Sequence, residues 1–120
     1  MDKNKVMKKL ADIEIFIGKG LPIAYKKFLS EEVGENDAYE IQNARGEIIY
    51  IYNYHDVIER NKTYTIQDVE PNYLLIGQDG DIGYFIYLHD SSDKIYSLDL
   101  GALGSLDMDE EANDIYNLRT

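Results

Sequence analysis

The chain contains no cysteine, no tryptophan, two prolines and two histidines among its 120 residues. The lack of cysteine excludes disulfide staples, thiol nucleophiles and cysteine-ligated metal centres, and it suits a reducing compartment, so a cytoplasmic location is expected. A single domain of this length buries enough apolar surface to fold without such staples, which makes residues 1–120 one expected domain. Long apolar runs are also missing: no segment approaches the roughly 20 apolar residues of a membrane-spanning helix. The lysines at 3, 5, 8 and 9 imitate the basic start of a signal peptide, but Asp12 and Glu14 interrupt the apolar stretch a signal would need, so neither an export signal nor membrane contact is expected.

Positive charge is scarce in the second half. The net charge is −11, with 9 Lys/Arg against 11 Asp/Glu in residues 1–60 and 3 against 12 in residues 61–120. An anionic half repels nucleic acid and speeds encounter with a basic partner.

What is present reads as α+β. Val6, Leu10, Ile13 and Ile17 recur at helical spacing over residues 2–17, and Gly18 and Gly20 close that helix. Pro22 opens a second helix, whose apolar stripe is Tyr25, Phe28, Leu29 and Val33 and which Gly34 ends. Residues 38–42 and 47–52 alternate as strands around the turn Asn43-Ala44-Arg45-Gly46. Asn53 to Asp56 can cap a short helix ending near Asn61, while residues 63–70 carry both strand-like alternation and loop signals. From Tyr73 to Leu98 three antiparallel strands are expected, with turns at Gly77 to Gly83 and at Asp90 to Asp93. A last short helix spans Glu110 to Leu118. Helices followed by hairpins predict N-terminal helices packed on one face of a mainly antiparallel sheet.

Catalytic and cofactor signals are weak. No Gly-x-Ser-x-Gly elbow accompanies the serines, and the context of His55 and His89 places one at a helix start and the other in a turn. Read as calcium loops, Asp79 and Asp107 fail: the sixth positions are Tyr84 and Ala112, where glycine is needed, and the twelfth are Asp90 and Leu118, where glutamate is needed. Gly77, Gly80 and Gly83 join two strands instead of opening a helix, so they form no phosphate cradle. No catalytic residue, metal ligand or cofactor is assigned.

Two segments together resemble the SUKH superfamily: Leu21, Pro22, Tyr25, Phe28 and Leu29 match its Leu-Pro-x-x-Tyr-x-x-Phe-Leu helix. Leu75, Ile76, Gly77, Asp79 and Gly80 match its strand ending in Ile-Gly-x-Asp-Gly. The resemblance covers about residues 10–100; the chain departs from it in keeping one glycine, Gly34, after the helix. It implies a bacterial immunity protein that binds and neutralises a cognate secreted toxin domain, commonly a nuclease, without catalysis. The fungal relatives imply the alternative of a scaffold or regulatory adaptor. A nuclease presents a basic surface to phosphate, so the expected contacts are carboxylates: Asp79, Asp81, Asp90, Asp93, Asp107, Asp109, Glu110 and Glu111, with Tyr84 as an aromatic anchor.

Overall fold

The computed structural model describes residues 3–89 and 92–119. The first helix, α1 (Lys3–Ile17), buries Leu10 and Ile13 and ends at Gly18, whose φ of 70° suits the left-handed cap position. Glu14 ties this helix to the next: its Oε2 accepts from the Leu21 N–H at 2.8 Å and lies 3.2 Å from Lys26 Nζ. Helix α2 (Ile23–Phe28) starts after Pro22 and widens into a π-helical turn, Leu29–Val33, closed by a 2.7 Å bond from Gly34 N–H to the Leu29 carbonyl. All four residues of its expected stripe are buried.

Among the described residues, six strands form one antiparallel sheet in chain order: β1 (Glu40–Gln42), β2 (Ile48–Ile51), β3 (Tyr73–Asp79), β4 (Ile82–Tyr87), β5 (Ile95–Asp99) and β6 (Asp109–Ala112). Between β2 and β3 lie α3 (Tyr54–Thr63) and the single-turn α4 (Ile66–Val69); α5 (Ile115–Leu118) follows β6. Helices and an antiparallel sheet around one core make the molecule α+β, as the sequence predicts. No helix of the described residues is long and apolar enough to cross a membrane.

Three expectations are corrected. The β3–β4 turn is not Gly77 to Gly83: Asp79 pairs with Ile82, leaving only Gly80 and Asp81 as the loop. Gly80, at φ 58°, takes the first loop position, where a type II′ hairpin places glycine. Gly77 is an in-strand glycine with a different purpose. The register slips between Leu75 and Gly77, making Ile76 the extra residue of a bulge, and a Cβ on Gly77 would sit 2.5 Å from the Tyr50 carbonyl oxygen.

The second correction concerns the expected helix over Glu110 to Leu118. Its first part is the edge strand β6, because Lys94 Nζ holds Glu110 at 2.9 Å and Ser97 Oγ donates to Glu111 at 2.9 Å. Only Ile115–Leu118 is helical, capped by Asp114, whose carboxylate accepts from the Asn117 N–H at 2.8 Å. This short helix docks on α2. Tyr116 meets Phe28 edge-on at 5.4 Å, and Arg119 lies over both rings while bonding Glu32 at 2.8 Å.

The third concerns residues 63–70, where strand-like and loop signals compete: Thr63 ends α3, and Ile66–Val69 form a helical turn entered through Thr65 at φ 49°. Its purpose appears at the edge of β3. β2 pairs with β3 only at Gly77 and Gln78, which leaves the polar backbone nearer the start of β3 without a strand partner on that side. Asn61, 1% exposed, supplies one: its Oδ1 accepts from the Leu75 N–H at 2.9 Å and its Nδ2 donates to the Leu75 carbonyl at 2.8 Å. Gln67 donates to Asn61 Oδ1 and to the Tyr73 carbonyl. Two amide side chains thus continue the ladder where the backbone cannot.

Candidate partner-binding surface

Antiparallel register gathers the acidic residues at one end of the sheet. The β3–β4 loop, the start of β6 and the end of β5 all lie there, together with the β1–β2 turn. Asp79 pairs with Ile82 and Ile82 with Asp99, so the two carboxylates flank one isoleucine on the same face. The Asp81 carbonyl accepts from the Leu100 N–H at 2.8 Å, fixing the loop against the end of β5. Asp81, Asp99, Asp107 and Asp109 are exposed and Asp79 half-buried.

The basic group of this end, Arg45, is already occupied. Its Nε bonds Glu47 at 2.8 Å and its Nη2 bonds Glu111 at 2.7 Å. Donating to the Glu111 and Glu47 carboxylates holds the guanidinium pKa above its ordinary value, and donation from Asn43 and Arg45 holds the Glu47 carboxyl below its own. The aspartates therefore keep an uncompensated field.

The other expected contact residues divide differently. Tyr84 is corrected from surface anchor to core: it is 1% exposed, its hydroxyl faces the Arg45 network, and burial raises its pKa. Asp93 is a long-range helix cap, accepting from the Ala24 N–H of α2 at 3.0 Å. Glu111 is the bulge residue of β6, with an 11% exposed side chain held by Arg45 and Ser97. Glu110 is exposed but paired with Lys94. Asp90 lies outside the described residues. Asp99 was missed; the signal that could have found it is antiparallel alternation, which returns the end of β5 to the loop that starts β4.

Two further constellations have chemical content. His55, Asp56 and Glu59 on α3 present donor atoms within 4.8 Å of one another. His55 Nε2 meets Glu59 Oε2 at 2.9 Å, and Asp56 accepts from the Tyr50 hydroxyl at 2.8 Å, so each group already has a protein partner. Beside them is a cleft of about 390 Å³ between α1 and α3, lined by Lys9, Asp12, Tyr54, His55, Ile58, Glu59 and Lys62. His89 stands apart from it, with its ring 6.2 Å from that of Tyr87. The two histidines have different neighbours and do not form one acid–base pair. Among the described residues the Tyr25 and Tyr54 hydroxyls are the buried side-chain polar atoms without a hydrogen-bond partner.

A scan against models of known protein families finds no match for this chain, and neither does a search of curated protein sequences.

Proposed function

We propose that this chain is a non-catalytic binding protein of the SUKH kind, which neutralises a cognate toxin domain with a basic surface, such as a nuclease, in the bacterial cytoplasm. The observation that carries the reading is the convergence of Asp79, Asp81, Asp99 and Asp109 at one sheet end, while Arg45 is engaged by two glutamates. A nuclease must offer cationic groups to phosphate, and a fixed array of carboxylates competes for the same groups. Covering the site is then sufficient.

The test is co-expression with the product of the adjacent gene, scored by growth and by pull-down. Rescue together with a stable complex is expected. Absence of a complex, combined with stable association to a cell-wall or cytoskeletal factor, would replace this reading with the adaptor.

A further inference from the structure

The acidic end is not the sole surface that a basic partner fits. Register places Tyr73 opposite Tyr87 and Phe85 opposite both Leu75 and Tyr96, so these aromatic side chains share one sheet face. Tyr73 is the hub: its ring lies 5.1 Å from Tyr87, 5.7 Å from Tyr96 and 6.4 Å from Phe85. Phe85 is buried, whereas the three tyrosines are half-buried.

The rim of this cluster is apolar and acidic. Tyr73 N–H bonds the Glu70 carbonyl, and Val69, the preceding residue, is 42% exposed. A Cβ on Gly104 would touch Val69 at 2.8 Å, which brings the 103–108 segment to the same rim, with Leu106 66% exposed. Burial raises the pKa of the Tyr73 hydroxyl, and Tyr96, Glu70, Tyr87 and Asp107 push the same way. Lys94 stands on this side too, held by Glu110, the register partner of Tyr96.

We infer that the Tyr73–Tyr87–Tyr96 face is a docking surface for arginine side chains of a basic protein partner. This deepens, and rests on, the neutralising role proposed above. A guanidinium is planar and weakly hydrated, stacks on phenol rings and bonds carboxylates in a fork, so rings bordered by Glu70 and Asp107 suit it better than an ammonium. Lysine would gain the field of the acidic end but little from the rings.

Octa-arginine and octa-lysine peptides separate the two contributions. Titrated into the isotope-labelled chain, the arginine peptide is expected to bind about fivefold more tightly and to shift the ring resonances of Tyr73, Tyr87 and Tyr96. The double variant Tyr87→Leu, Tyr96→Leu keeps apolar bulk and should bring the two peptides to equal affinity, while Tyr87→Phe, Tyr96→Phe should preserve the preference. Asp81→Lys with Asp99→Lys should weaken both peptides alike and leave their ratio unchanged. Equal affinities for the unmodified chain, or a preference that survives the leucine variant, would overturn the inference. Growth rescue without an arginine preference would remove this docking face and leave the neutralising role standing; a preference without rescue would do the reverse.

Discussion

Arg45 and Glu111 meet at 2.7 Å although they belong to opposite edges of the sheet, one in the turn after β1 and the other in β6. The six strands are therefore curled enough to bring first and last together. Ser97 and Glu47 complete the clasp. Arg45→Met and Glu111→Gln should each lower the melting temperature by a few degrees, and the double variant should cost clearly less than the sum. Additive losses in a double-mutant cycle would mean that the edges are held by something else.

Asn61 replaces a strand, so shortening it should be among the most damaging single changes. Asn61→Ala leaves the buried N–H and carbonyl of Leu75 without partners, a loss of about 2–4 kcal/mol. Urea denaturation measures it. A loss below about 1 kcal/mol would show that the edge of β3 finds other partners.

Two glycines of the same motif should respond differently to alanine. At Gly77 the obstacle is space, since the added methyl meets the Tyr50 carbonyl, and about 2–3 kcal/mol should be lost with weakening of the β2–β3 pairing. At Gly80 no atom lies within 4 Å and the obstacle is φ 58°, so the cost should be about 1–2 kcal/mol with the pairing intact. Hydrogen exchange at Tyr52, whose N–H bonds the Ile76 carbonyl of β3, distinguishes the two.

Carboxylates expected to bind a partner should separate from those that hold the fold. Asp93→Ala removes the cap of α2 and should cost about 1 kcal/mol of stability while leaving association with a basic partner unchanged. Asp81→Lys with Asp109→Lys should do the opposite, slowing association and flattening its salt dependence without loss of stability. Stopped-flow association at two ionic strengths, paired with thermal melts, tests both halves.

Alkali should unfold the protein through its tyrosines. Burial, the hydrogen bond to Asp56 and nearby carboxylates push Tyr50 up to about 12, and burial raises Tyr25 and Tyr52 further. In the unfolded chain these phenols ionise near about 10. Their contribution is thus complete below that pH and is lost as pH climbs toward the folded values. Tyrosinate absorbance and circular dichroism should change together in one cooperative step; independent titration of the rings in a folded chain would contradict this.

How far the sequence foretold all this depends on the range of the interaction. The α2 stripe was legible because Tyr25, Phe28, Leu29 and Val33 repeat at the helical period, and the hairpin at Gly80 because its turn chemistry is local. β6 was not, since Asp-Glu-Glu-Ala has neither alternation nor β-branched residues; its strand form comes from Lys94, Ser97 and Arg45, all distant in sequence. Asp93 caps a helix 69 positions away, which no local pattern encodes. Alternation assigned Tyr84 to a face but not to a depth, so a core residue was expected at the surface. Asp79 and Asp81 were identified at the turn, whereas Asp99 joins them only through register.

The sheet follows chain order from β1 to β6, so each strand has merely to find the one just synthesised before or after it. Such neighbour-to-neighbour zippering keeps most loop closures short, and local closure speeds folding. The longest closure within the sheet is the 66-residue one from Arg45 to Glu111, which belongs at the end of the process, like a latch pressed shut once everything inside has settled.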